Sequence, residues 1–297
     1  MAGRLLAVAA ALSALIACPA MSQGRPGLAP SGAWTLDYDD DSCALRRMFG
    51  AGENRAYVEF RRFGPDFWLQ AVVASERMTA RNPARFRYRF GDEAEWRDAN
   101  GINITLDNGF SGVIFNPQLA YNPEGIEDLQ AYYAYLRSID RKAVESEAGA
   151  GIDTITLRGA YRRELRLQLG KLDAPIAALN ECVDELMTHW DIDIEAHKTL
   201  TRAAIPIDFT DSSSMLGYPP KMLQRSMPGL VHIRLAIGET GRITGCHIQM
   251  PLSDPEFEAS SCADIQHAFE FEPALDKDGK PIASYWLTRV RFQLGGF

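Results

Sequence analysis

The feature that most narrows what this chain can become is strict two-residue alternation. In Arg85-Phe86-Arg87-Tyr88-Arg89-Phe90, three aromatics alternate with three arginines. A period of two puts the aromatics on one face of a strand and the guanidinium groups on the other. Residues 165–169 repeat the pattern, and residues 229–237 and 282–294 extend it near the end of the chain. Such segments build antiparallel sheets with one buried face. Residues 57–60, 67–73 and 102–106 are shorter runs of strand chemistry. Helical spacing appears twice. Ile126, Leu129, Tyr133 and Leu136 recur over 124–138. Ile176, Leu179, Val183, Leu186 and Trp190 do so over 173–190, with Asp173 placed to cap and Pro175 in the first turn. Strands and helices without regular βαβ alternation predict an α+β chain, with an N-terminal α+β domain over 33–195.

The N-terminus predicts export. Arg4 supplies a positive charge, an apolar run follows over 5–17, and small residues and a Pro close it. This is signal-peptide chemistry over 1–22, and the run is shorter than the roughly 20 residues a membrane helix needs. Ala20-Met21-Ser22 suits ordinary cleavage to a soluble periplasmic protein, whereas Leu15-Ile16-Ala17-Cys18 resembles a lipoprotein box that would anchor Cys18 to lipid. Residues 23–32 are rich in Gly, Pro and Ser and read as a disordered lead-in. A net charge of −8 argues against nucleic-acid partners, which need a basic surface. Cys43, Cys182, Cys246 and Cys262 follow the signal segment. An even number in an oxidising compartment points to disulfides, with three connectivities open.

Residues 196–214 read as a linker, and a second domain occupies 215–297. Tyr218-Pro219 opens a short helix, and Gly229, Val231 and Ile233 begin a strand. A turn at 238–241 returns the chain through 242–250 as a hairpin, taken here as a two-residue turn at Glu239-Thr240. A helix over 256–269 ends at Phe271-Glu272-Pro273-Ala274. Gly279-Lys280-Pro281 then leads into a last strand ending in Val290-Arg291-Phe292. In order and spacing these residues resemble the TonB C-terminal domain family, over about 210–297. The resemblance implies a three-stranded antiparallel sheet with two helices on one face, and capture of outer-membrane receptors by edge-strand pairing. Energy transducers of that family keep an N-terminal membrane helix and a long Pro-rich spacer. Here a short, cleavable apolar run and a folded domain stand in their place.

Alternation turns Cys246 toward the helices, and Cys262 lies on the inward stripe of the following helix. Those two can pair, leaving Cys43 for Cys182; the alternative is buried free thiols. His232 and His247 would face each other on an open sheet face, but two imidazoles lack the third ligand of a metal site, so no metal and no cofactor are expected. Asp37, Asp39, Asp40 and Asp41 lack the pattern of a calcium loop and read as a solvated turn. Arg85, Arg87 and Arg89, with Arg61 and Arg62 as candidate additions, read as a charged exposed sheet face. The alternative is a basic stripe for lipid headgroups or polysaccharide. No nucleophile elbow, His-Glu-x-x-His or phosphate-loop pattern occurs, so the expectation is a non-enzyme.

The functional expectation is therefore an envelope protein that binds an envelope or outer-membrane partner. The strand over 285–294 is its edge, and Tyr285, Leu287, Arg289 and Arg291 face outward to an acidic partner segment. Capping of the edge by the N-terminal domain or by a dimer is the alternative to that picture. The alternative function is a ligand-binding or enzymatic N-terminal domain with the TonB-like module as a targeting appendage.

Overall fold

The protein is seen as a computed structural model that describes residues 27–76, 85–92, 95–119, 129–207, 216–250 and 254–292. The expected signal peptide and Cys18 lie outside the described residues, as does the start of the helix expected from 124. The first ten strands are β1 (Thr35–Tyr38), β2 (Cys43–Ala51), β3 (Asn54–Arg62), β4 (Gln70–Ser75), β5 (Arg85–Phe90), β6 (Arg97–Asn100), β7 (Ile102–Thr105), β8 (Ser111–Phe115), β9 (Thr154–Arg158) and β10 (Leu165–Gln168). They form two antiparallel sheets, ordered β1-β2-β3-β4-β8-β7 and β10-β9-β5-β6. Alternation supplies the core between them. Leu45, Phe49, Val58 and Phe60 of the larger sheet share one cluster with Phe86, Tyr88, Phe90, Ile155 and Leu157 of the smaller. The N-terminal domain is thus a strand-rich sandwich, and helices α1 (Leu129–Ser138), α2 (Arg141–Ala150), α3 (Asp173–Met187) and α4 (Ile194–Lys198) make the chain α+β.

Three local expectations are corrected. Residues 28–31 are not a loose lead-in: Leu28 bridges Leu167, and Pro30 bridges Phe49, so the segment closes strand edges of both sheets. Leu172, not Asp173, is the N-cap of α3, and no side chain caps it. Residues 202–206 are not free linker, because Arg202 bridges Leu275 and Ile205–Pro206 (β11) pairs with the strand Phe271–Glu272.

Helix α2 gave no apolar signal because its buried stripe is polar: Arg141, Glu145 and Gly149. Glu145 is the hub. It accepts from Arg141 (2.8 Å), Asn180 (3.1 Å) and the wholly buried Arg62 of β3. Arg62 also donates to the Asp66 carbonyl, and Asn180 accepts from Arg141 (2.6 Å). Arg62, at 0% exposure, and Arg61, at 3%, therefore do not belong to any exposed basic stripe. Arg61 instead meets Glu59 (2.8 Å), Asp39 and Ser42. The acidic turn is likewise engaged: Asp37 pairs with Arg46 (2.5 Å) and Asp41 with Arg234 (3.4 Å).

The C-terminal domain follows with α5 (Pro220–Gln224), β12 (Gly229–Ile237), β13 (Ile243–Met250), α6 (Pro255–Ala268), β14 (Phe271–Glu272), β15 (Ala274–Leu275), β16 (Pro281–Ile282) and β17 (Ser284–Phe292). Its sheet is ordered β13-β12-β17, all antiparallel. Val231, Ile233, Leu235, Ile265, Phe269, Phe271, Val290 and Phe292 are buried in one cluster, with Ile248 half-buried at its margin. The turn between β12 and β13 has three residues, not two. Gly241, at φ +79°, ends it, and a Cβ there would sit 1.9 Å from the Phe271 carbonyl oxygen. That is a three-residue hairpin loop closed by a left-handed glycine; a separate register shift follows between Ala236 and Ile237, where Thr244 is the extra residue.

The cysteines pair as Cys43–Cys182, joining β2 to α3, and Cys246–Cys262, joining β13 to α6, with Cα separations of 6.1 and 5.9 Å. Closing a loop of 139 residues implies about 4–5 kcal/mol, and one of 16 about 3 kcal/mol, by chain entropy before strain. Urea denaturation should show the double variant Cys43→Ser/Cys182→Ser losing more stability than Cys246→Ser/Cys262→Ser. Glu145→Ala strands two buried guanidinium groups and should cost about 3–5 kcal/mol. Glu145→Leu paired with Arg62→Met should recover much of that loss in the same measurement.

Candidate functional site

Strand β17 is the element on which a partner-binding role depends, so its two sides and its edge are considered in turn. Register with β12 runs from Gly229↔Phe292 to Ile237↔Ser284 without interruption. One side of β17 turns Trp286, Val290 and Phe292 into the core beneath α6, where Phe257 and Phe292 rings lie 4.7 Å apart. The other side carries Tyr285, Leu287, Arg289 and Arg291. The N-terminal domain packs against this side: Tyr285, Leu287 and Arg289 are half-buried, and Arg291 stays exposed.

The Tyr285 ring meets Trp190 edge-on at 4.9 Å and stacks with His197 at 5.7 Å. His197 Nδ1 donates to the Asp193 carbonyl (2.7 Å), so its Nε2 accepts from the Ser284 hydroxyl (3.0 Å). Burial holds this imidazole below its ordinary pKa. Leu287 presses on Gly64, where a Cβ would lie 2.2 Å from its Cδ1, so only glycine admits this approach. Arg289 lies 3.6 Å from the Trp68 ring centroid, and burial lowers its pKa to about 10. Arg291 donates to the carbonyls of Asn100 and Gly101, both at 3.0 Å. Both arginines thus have partners within the chain.

Neighbouring strands complete the same interface. His232 stacks on Phe63 with ring centroids 3.8 Å apart, and its Nε2 donates to Gln70 Oε1 at 2.7 Å. Gln249 donates to the Phe63 carbonyl (2.7 Å), and Leu230 packs with Val72 and Ile114. Arg234 lies over Trp190 at 4.9 Å. His232 is opposite Met250 and His247 opposite Arg234, so the two histidines are not cross-strand neighbours; His232 is buried and His247 stays exposed. The longer turn and the two register shifts, between Ala236 and Ile237 and between His232 and Ile233, together account for the displacement. Among the described residues, no group of three or more His, Cys, Asp or Glu is placed to hold a metal.

The covering residues Phe63, Trp68, Gln70 and Trp190 were not singled out from sequence. A signal was present. Leu230, Tyr285 and Leu287 give the second sheet face apolar bulk, which marks a sheet buried on both sides.

What stays open is the edge itself. β12 occupies one edge of β17, and no described strand pairs with the other. The class defined here is a small open antiparallel sheet, helix-backed, with a nine-residue edge strand. Residues 215–294 match the family described as Gram-negative bacterial TonB protein C-terminal. Curated proteins gave no match to the chain. No described helix is long and apolar enough to cross a membrane.

The docked face carries a pH dependence. Burial, then the charges of Arg289 and Arg61, push the His232 pKa from 6.5 down to about 3. The docked state therefore binds fewer protons than the opened one, and docking is fully favoured above about 6.5 and weakens as pH falls toward 3. Asp66, raised to about 6 by burial, acts in the opposite sense, but its displacement is smaller and its side chain half-exposed. Scattering or domain-specific hydrogen exchange should show the domains separating as pH drops through this window. His232→Gln should flatten that response.

Proposed function

We propose that this protein is an exported, non-enzymatic envelope protein that captures an extended segment of an envelope or outer-membrane protein along the edge of β17 that no described strand pairs. The observation that carries the reading is the combination at β17: a full-length edge strand whose side chains are held on both faces. Strand addition needs rows of backbone N–H and C=O groups in a fixed, flat register, and it places few demands on side chains. Here the core beneath α6 holds Trp286, Val290 and Phe292, and the N-terminal domain holds Tyr285, Leu287, Arg289 and Arg291. The strand is thereby preorganised, which reduces the ordering cost of binding. Specificity then rests on the rims beside the edge rather than on the strand's own side chains. In this reading the partner's segment completes the sheet, as the TonB-type family resemblance implies, and the N-terminal domain acts as the platform that aims it. A link to TonB-type transport and a periplasmic location, soluble or lipid-anchored through Cys18, belong to the same proposal. Sequencing the mature N-terminus of cell-derived protein decides between the two forms.

The test uses two substitutions at one position. Leu287→Ala keeps the backbone donor and removes the side chain that meets Gly64; Leu287→Pro removes the donor as well and clashes in mid-strand. Crosslinking in intact cells should recover the partner with wild type and Leu287→Ala, and at least about tenfold less with Leu287→Pro, one missing strand contact being worth about 1.4 kcal/mol or more. Circular dichroism must show the proline variant folded. Capture equal to wild type by that folded variant overturns the edge as the binding site.

A further inference from the structure

The outer face of the sheet β10-β9-β5-β6 lies away from the core and from the β17 edge, and the reading above does not use it. Its inner side is closed by Phe86, Tyr88, Phe90, Ile155 and Leu157. Its outer side is a grid of arginines. Arg87 of β5 lies directly opposite Arg158 of β9, and Arg89 is opposite Thr156. Like charges facing across strands destabilise a sheet, and this pair occurs in a chain of net charge −8.

One indole gathers the cations. The Trp96 ring has Arg158 at 4.3 Å, Arg89 at 4.8 Å and Arg87 at 5.9 Å. Carboxylates answer only part of the charge: Glu164 pairs with Arg158 (2.8 Å) and Asp92 with Arg166 (2.6 Å). Arg87 makes no ion pair among the described residues, although Asp98 lies opposite it on β6. In addition, Arg89 Nε and Thr156 Oγ1 are buried without a hydrogen-bond partner, two orphan donors in register on this same face. Buried orphans are uncommon; these two are enclosed, so a ligand would meet the exposed Arg87 and Arg158 beside them. A groove of about 510 Å³ runs there, lined by Arg85, Arg87, Asp98 and Arg158 and also by Phe86 and Ala99.

We propose that this groove binds a phosphate monoester. A carboxylate offers one fork to one guanidinium, whereas a phosphate monoester offers three oxygens and nearly two charges, enough for Arg87 and Arg158 to share. Trp96 holds the guanidinium groups in place without neutralising them. The groove is larger than a phosphate, so it has room for the group that bears it, a sugar or a glycerol. None of the exposed large apolar side chains among the described residues, Tyr38, Trp68, Val144, Ile207, Leu223 and Met227, lies in this groove. Recognition is therefore of a polar head, either on a lipid surface or on a soluble phosphorylated sugar or polyol.

Calorimetry of the full chain with glycerol phosphate as probe should show saturable binding that weakens with salt. Arg87→Gln and Arg158→Gln should each weaken it at least about tenfold. Arg225→Gln, on exposed surface in the other domain, should leave it unchanged. Both groove arginines are exposed, and circular dichroism checks that the variants fold. Co-sedimentation with phosphatidylcholine vesicles containing phosphatidic acid, and not with phosphatidylcholine alone, assigns the lipid source. Binding of glycerol phosphate without co-sedimentation assigns the soluble one. No binding of either probe, binding unchanged in both groove variants, or equal loss in Arg225→Gln overturns the proposal.

Discussion

A three-stranded sheet backed by helices on one side has a second side, and the structure depends on how that side is covered. The segment between β3 and β4 does it. Phe63 stacks under His232, Gly64 receives Leu287, Trp68 receives Arg289 and Gln70 accepts from His232. That segment is a short connection between two inner strands of the larger N-terminal sheet, so the TonB-type sheet rests on a stretch of chain anchored at both ends. Domain interfaces within a chain are commonly small, polar and free to move. This one mixes aromatic stacking with buried polar pairs, whose orientation demands resist sliding.

The same segment is tied from behind. Arg62, at the end of β3, reaches the Glu145 hub and the Asp66 carbonyl, so the charged network lies directly beneath the residues that meet the C-terminal domain. Arg61, next to it, closes the opposite side through Glu59 and Asp39. Buried ions are costly unless fully paired, and here they sit where one loop must hold one shape. The Cys43–Cys182 bridge adds a covalent tie between β2 and α3, whose Asn180 completes the hub.

The C-terminal domain was largely legible in the sequence because its signals are local. Alternation over 229–237, the inward stripe of the helix and the glycine turn each depend on near neighbours. Even the two disulfides follow from side-chain direction and elimination. The failures share another cause. Helix α2 hides because Arg141 and Glu145 occupy the positions where apolar residues mark a buried face. The His232–His247 pairing failed because the turn has one residue more than expected and two further register shifts follow along β13, and side-chain facing depends on register. The partners of Arg289 and Arg291 could not be read at all, since they are Trp68 and the carbonyls at 100–101, about two hundred residues away in the chain. Contacts of that kind have no periodicity to betray them.

The long, uninterrupted pairing of β17 with β12 has a mechanical consequence. Ladder hydrogen bonds in antiparallel strands lie across the strand axis. A tug along β17 is therefore shared at once by all the pairs from Gly229↔Phe292 to Ile237↔Ser284, in shear. A tug across it peels them open one after another. The incoming chain at Arg202 is itself stitched to Leu275, so force entering from the N-terminal side reaches the domain through backbone pairing as well. Any segment added along β17 would inherit this anisotropy: it would resist being dragged lengthwise and release readily when lifted sideways.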